Sequence, residues 1–241
     1  MLKIPIKDSD KIYDLNPSKI ITVGGNYLKK NGTKSSKETE NPTNNKPKYP
    51  LIIPKLPNCL IGPNQNIIIP EFLSELYLLD VQINFRAELA LIIKDKCKNL
   101  TEKESMDYIY GYTCINDVTQ VNLKEFDRIG WWRGKSLDTF GPIGPNIVLA
   151  KHIGDPHNLE IRTKLNDEVK QQSNTKNMIF KIPQILAYIS KNLTLYKGDI
   201  ITTGTPPGSE QLKHGDIVEI KIEEIGKLKN PVLKESYTKI R

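Results

Sequence analysis

Apolar residues along this chain fall mostly in short runs bounded by turn-forming residues, and long helical periodicity is rare. Residues 19–23 read KIITV and run into Gly24-Gly25-Asn26-Tyr27, which predicts a strand followed by a turn. From Leu28 to Pro50 the chain is rich in Lys, Asn, Ser and Thr and has almost nothing to bury, so it predicts a surface loop or a lid. Residues 51–70 place apolar triplets between prolines at 54, 57, 63 and 70, which exclude a helix and leave short strands and turns. Strict alternation follows: Ile83, Phe85, Ala87, Leu89, Leu91 and Ile93 on one strand face, with Asn84, Arg86 and Glu88 on the other.

Two places predict helix start signals. Thr101 with Glu104 three residues on is a capping-box pattern for a short helix, and Pro183 opens a segment with Ile185, Leu186, Ile189 and Leu193 at helical spacing. A brief helical turn is expected over 122–130. The later chain is strongly β: IVLAKHI and LEIRTKLNDEV read as strands with a turn at Asn166-Asp167, and two last strands are each introduced by Gly-Asp. The pattern predicts a mainly β fold with some α, of the α+β class.

At 241 residues, 38% apolar and 26% charged, the chain is long enough for one main domain. The net charge of +7 comes from scattered lysines with little aromatic interleaving, a solvated basic surface and not a nucleic-acid-binding one. Three cysteines without CxxC spacing read as reduced thiols. The first residues lack an apolar signal region and no run of ~18 apolar residues occurs, so no membrane span is expected and the predicted setting is cytoplasmic. His152, His157 and His214 fall in loops and are not expected to be catalytic.

The chemistry concentrates in residues 131–145, WWRGKSLDTFGPIGP, where Lys135, Ser136 and Asp138 stand among glycines and prolines that fix backbone shape. Lys135 suits a carboxylate or enolate oxygen and Asp138 suits orienting it or accepting a proton, unless the loop is only structural and Lys135 faces solvent. Glu88 and Asp117 add carboxylates of the kind that hold a hard divalent cation such as Mg²⁺. Thr203, Gly204 and Thr205 form a compact turn that suits either a bound carboxylate or a purely structural role.

GGNY (24–27), AELALII (87–93), NDVT (116–119), RGKSLDTFGPIGP (133–145), NTKNMIF (174–180), GDIITTGTPPG (198–208) and GDIVEIKIEEIGKLKNPV (215–232) occur together and in this order. In this the chain resembles the fumarylacetoacetate hydrolase (FAH) family. The resemblance implies a mixed β-sandwich roll with a few short helices. It divides the chain into a small N-terminal segment, 1–50, carrying the lid-like loop 28–50, and a catalytic domain over 51–241. It implies a homodimer and Mg²⁺ or Mn²⁺ held by three carboxylates. Its activities are hydrolysis, decarboxylation or isomerisation of small keto and diketo acids of the acylpyruvate or oxaloacetate kind.

Carried over by residue, the resemblance makes Lys135 and Asp138 catalytic, Glu88 and Asp117 metal ligands, and Asn26, Tyr27, Thr203, Gly204, Thr205 and Arg86 substrate contacts. The family's paired glutamates read Arg86-Ala87-Glu88 here, so Arg86 replaces the third ligand. The arginine that follows NDVT in many members is absent, and Lys30 and Thr33 stand where acylpyruvase-like members carry a water-activating His and Glu. Two accounts follow: an enzyme that works around or through Arg86, or a degenerate member that keeps the scaffold as a ligand-binding or interaction protein.

Overall fold

The structure, a computed structural model, describes residues 1–28, 47–76, 81–125 and 131–236. Sixteen strands are β1 (Leu2–Pro5), β2 (Ile12–Leu15), β3 (Ile20–Gly24), β4 (Leu51–Lys55), β5 (Leu60–Ile61), β6 (Ile67–Ile69), β7 (Ile83–Asn84), β8 (Ala87–Ile93), β9 (Ile109–Asn116), β10 (Thr119–Gln120), β11 (Gly141–Leu149), β12 (Glu160–Leu165), β13 (Glu168–Asn174), β14 (Ile200–Thr202), β15 (Ile217–Ile222) and β16 (Gly226–Lys234). The α-helices are α1 (Glu102–Ser105), α2 (Trp132–Lys135) and α3 (Ile182–Asn192). A seven-stranded mixed sheet runs β4-β3-β14-β8-β9-β11-β5, and a five-stranded sheet runs β13-β12-β15-β16-β6. The mainly β fold with a few short helices is the one the hydrophobic pattern predicts.

Strand β8 is buried on both faces. Ala87, Leu89, Leu91 and Ile93 join a core formed with the five-stranded sheet and α3, while Ala90 and Ile92 join a second core with Ile4, Leu15 and Phe140. The expected alternation breaks at its start, since Ile83 and Phe85 belong to the second core and not the first. The cause is local: the Phe85 amide donates to Glu210 O (3.3 Å), across the Asn84–Gln211 bridge, and the Arg86 amide to Asn116 Oδ1 (2.8 Å), so neither joins the β8–β9 ladder, which begins at Ala87. β12 and β15 keep the half-buried alternation, with Ile161, Thr163, Val218 and Ile220 inside.

Other expectations change with the backbone in view. Gly141–Pro145, read as loop, begins β11; Pro145 falls where the β11–β9 register shifts after Gly144, and Pro142 lies opposite Ile61 of the edge strand β5. β3, before residue 50, pairs with β4 and β14, after it, inside one sheet. Most of the lid-like loop, including Lys30 and Thr33, lies outside the described residues. Asn166 and Asp167, both at positive φ, make the turn between β12 and β13. Cys59, Cys97 and Cys114 are buried free thiols.

Helix α3 starts as Pro183 predicts, and His157 caps it: the Ile182 amide donates to His157 Nε2 at 3.1 Å. Burial holds the His157 imidazole below its ordinary pKa, Asp155 opposing. A lowered pKa in the folded state means that the cap contributes fully above the ordinary value near 6.5 and is lost as pH falls below it. His157→Ala is expected to cost about 1 kcal/mol at pH 8, roughly 2–4 °C in melting temperature. That gap should shrink at pH 5; a gap independent of pH would remove the cap assignment.

Candidate active site

Five chain segments meet at one end of the seven-stranded sheet. β8 contributes Glu88, the end of β9 and the residue after it contribute Asn116 and Asp117, the end of β4 contributes Lys55, α2 contributes Lys135, and the end of β14 with the turn after it contributes Thr202–Thr205. The Asp117 amide donates to Arg86 O at 2.9 Å, tying the carboxylate-bearing turn to the neighbouring strand. Gly134 lets α2 settle directly on β10, since a Cβ there would fall 2.4 Å from Gln120 O. Ser136 then straps α2 to the chain after β4: its Oγ accepts from the Leu56 amide (3.1 Å) and its carbonyl from Asn58 Nδ2 (3.0 Å).

The result is a buried cluster of charge. Asp117 is 0% exposed, Lys55 1%, Glu88 2%, Lys135 4% and Arg86 8%, so water screens none of them well. Lys135 Nζ donates to Asp117 Oδ2 and lies 3.3 Å from Thr119 Oγ1. Lys55 Nζ lies 3.0 Å from Asp117 Oδ1 and also donates to Val118 O (3.3 Å) and to the Lys135 carbonyl. Each oxygen of Asp117 therefore faces an ammonium group. Burial alone would raise the Asp117 pKa, but Lys135, Lys55 and Arg86 overcome it and hold the carboxyl at about 2. Burial, aided by Arg86 and Lys55 against Asp117 and Glu88, lowers the pKa of Lys135.

Glu88 is held differently. Its Oε2 accepts from the Thr202 hydroxyl and from the Gly204 amide at 2.8 Å. Burial, then the charge of Asp117, pushes its carboxyl up to about 7 against the pull of Lys135, Thr202 and Gly204. One site thus contains two carboxylates of opposite tendency, an arrangement suited to proton transfer.

Lys135, Glu88, Asp117 and Arg86 come together as the sequence implies, whereas Asp138 stands apart. It is exposed and accepts from Asn58 Nδ2 at 2.6 Å, so the carboxylate beside Lys135 is Asp117. The carboxylate held by the Thr-Gly-Thr turn is Glu88 itself: Gly204 N–H is used on it, and the Thr203 hydroxyl donates to Leu89 O (3.0 Å). Thr205 Oγ1 accepts from Gln171 Nε2 (3.0 Å), which leaves its own proton to donate. Asn26 is a clamp, with Nδ2 on Thr203 O (2.8 Å) and Phe180 O (3.1 Å) and Oδ1 on the Phe180 amide (2.8 Å). Tyr27 is buried, and burial followed by the charge of Glu88 raises its phenol pKa. The Arg86 guanidinium lies 5.8 Å from the centre of the Trp131 ring.

Lys55 and Gln171 are among the residues of the site not singled out from sequence, as are Asn116, Thr119 and Thr202. Lys55 has one visible signal, a charge closing an apolar strand. Gln171 has none; it is fully buried and accepts from the Ala87 amide (3.3 Å) and Thr163 Oγ1 (2.8 Å).

The divalent metal implied by the family resemblance does not fit these residues. Among the described residues no group of three or more His, Cys, Asp or Glu side chains converges. Asp117 has an ammonium group on each oxygen, and a fixed guanidinium within ~4 Å of a divalent ion would oppose it by several kcal/mol.

Comparison with known proteins gives three kinds of likeness. Residues 19–233 match the family model described as fumarylacetoacetate (FAA) hydrolase C-terminal. A Xenopus laevis protein named oxaloacetate tautomerase fahd2, mitochondrial, is 39% identical over 227 residues, covering 90% of this chain and 66% of its own length. The crystal structure of 2-hydroxyhepta-2,4-diene-1,7-dioate isomerase from Mycobacterium marinum superposes with a TM-score of 0.78 at 33% identity, covering 95% of this chain and 83% of that one. Maleylpyruvate hydrolase from Sphingobium sp. SYK-6, solved with manganese(II) and pyruvate, gives 0.74 at 28% identity over 91% and 72% of the two chains. Among the described residues no helix is long and apolar enough to cross a membrane.

Proposed function

The chain belongs to the fumarylacetoacetate hydrolase family, whose members are enzymes acting on keto acids, and we propose that this member moves a proton between the keto and enol forms of a small 2-oxo acid of the oxaloacetate or acylpyruvate class. The observation that carries this reading is Lys135: an enclosed amine of lowered pKa, aimed by Asp117, in the same site as a glutamate near neutrality. A buried ammonium beside the keto oxygen favours the enolate, and its lowered pKa makes it a ready proton donor to that oxygen. Glu88 takes and returns the carbon-bound proton, and the Thr205 hydroxyl and Arg86 guanidinium receive the substrate's carboxylate oxygens.

Isomerisation is favoured over C–C hydrolysis on a sequence fact. Hydrolysis needs an activated water, and Lys30 and Thr33 occupy the positions where the family resemblance implies an activating His and Glu in acylpyruvase-like members. The test is the decay of enol absorbance of oxaloacetate. Wild type is expected to accelerate it, and Glu88→Gln to slow it by about 10²- to 10⁴-fold. Decay at the buffer rate with every such acid would return the chain to the ligand-binding role.

A further inference from the structure

We infer that Gln171, carried by β13 of the five-stranded sheet, is a positioning residue of the site: its side-chain amide fixes the Thr205 hydroxyl as a hydrogen-bond donor to the substrate's carboxylate. The inference rests on the keto-acid reading above and deepens it, because it names the residue that decides where the Thr205 proton points. Gln171 is fully buried. Its Oε1 accepts from the Ala87 amide (3.3 Å) and the Thr163 hydroxyl (2.8 Å), and its Nε2 donates to Thr205 Oγ1 (3.0 Å) and Pro206 O (2.5 Å). Both protons and both lone pairs of the amide are thus in use.

Two backbone groups settle which way the amide faces. The Ala87 N–H can only donate and the Pro206 carbonyl can only accept, so the reversed amide would set donor against donor and acceptor against acceptor at a buried position. Nε2 therefore faces Thr205 Oγ1, and an amide nitrogen only donates. The Thr205 hydroxyl must accept from it, which commits its own proton to another acceptor, and a carboxylate is the strongest acceptor a keto acid offers. The backbone holds both ends of this contact. Gly208, at φ +105°, lets the chain after Thr205 lie against β13, where a Cβ would fall 2.2 Å from Lys170 O. On the other side, β14 pairs with β8 as far as Thr202 opposite Ala90, and the Thr203 amide reaches Leu89 O (3.1 Å). The Ala87 amide lies on the same edge of β8 beyond that ladder, and Gln171 Oε1 meets it there. One side chain thus joins the strand that carries Glu88 to the turn that carries Thr205.

The experiment is a double-mutant cycle on the enol decay of oxaloacetate, with kcat and KM measured for wild type, Gln171→Met, Thr205→Val and the double variant. A hydrogen bond made equally to the bound substrate and to the transition state acts on KM and not on kcat. Thr205→Val is expected to raise KM about tenfold and Gln171→Met about threefold to tenfold, each with kcat within about twofold of wild type. The double variant is expected to match Thr205→Val, because Gln171 acts through that hydroxyl. Circular dichroism identifies any variant that fails to fold. A second readout needs neither a Gln171 variant nor turnover: in ¹⁵N-labelled protein, the side-chain amide signal of Gln171 is expected to shift on Thr205→Val. An unchanged KM in folded Gln171→Met, a fall in kcat in place of a rise in KM, the same KM rise from Gln171→Met with and without the Thr205 hydroxyl, or an unmoved amide signal would each overturn the inference. A wild type that leaves enol decay at the buffer rate would overturn instead the keto-acid reading beneath it, and with it the carboxylate assigned to Thr205, while the amide signal would still decide the contact between Gln171 and Thr205.

Discussion

Lys135→Met is expected to lower kcat/KM for a 2-oxo acid by about three orders of magnitude, since it removes both a proton donor and the charge that stabilises an enolate. The effect should fall on kcat more than on KM, because the ammonium matters most where negative charge develops on the keto oxygen. Methionine keeps the length and fills the same space on α2, and Asp117 retains Lys55 as its partner, so the fold is expected to survive. Steady-state rates on enol decay, with a melting curve beside them, decide the matter. Turnover within tenfold of wild type would discard Lys135 as the catalytic group.

Asp117→Ala is the change expected to hurt stability most. It leaves Lys135 and Lys55, both buried, without the carboxylate that neutralises them. Breaking a buried pair by removing one partner costs about 3–5 kcal/mol, which for a domain of this size lowers the melting temperature by roughly 10 °C. The pH dependence carries the same sign. The Asp117 carboxyl is held at about 2 against an ordinary value of 3.8, so its contribution is present above that value and disappears as pH falls towards 2. Wild type and variant should therefore converge in acid. Equal melting temperatures at pH 7 would show that Lys55 and Lys135 find other compensation.

Much of this site was legible in the sequence, and the parts that were not share a cause. Glu88, Asp117 and Lys135 stand in the sequence blocks that carry the family resemblance, and strand alternation already pointed Arg86 and Glu88 away from the apolar face. Asp138 was the natural partner for Lys135 by nearness along the chain. In space α2 ends at Lys135, Ser136 is strapped to the segment after β4, and Asp138 turns outward to Asn58. Lys55 was invisible because a lone lysine on a strand ordinarily belongs in water; Asp117 and the carbonyls of Val118 and Lys135, all distant in sequence, accompany its burial. The Thr-Gly-Thr turn was read as either binding a carboxylate or purely structural, and chain pattern alone cannot say that the carboxylate it meets is Glu88. In the fold, periodicity placed strands well where one face is wet, as in β12, and failed at Phe85–Arg86, where side-chain and loop acceptors end the ladder.

The contacts that define the site join residues far apart in sequence: Lys55 to Lys135 over 80 positions, Glu88 to Thr202 over 114, Asn26 to Thr203 over 177. Closing such long loops costs entropy that short-range structure does not return, so these contacts form late in folding and together. Because α2 is held by the chain after β4 and rests on β10, the charge cluster needs both of those parts of the chain in place around Lys135. Competence is therefore a property of the finished chain, and the site itself reports when folding is complete.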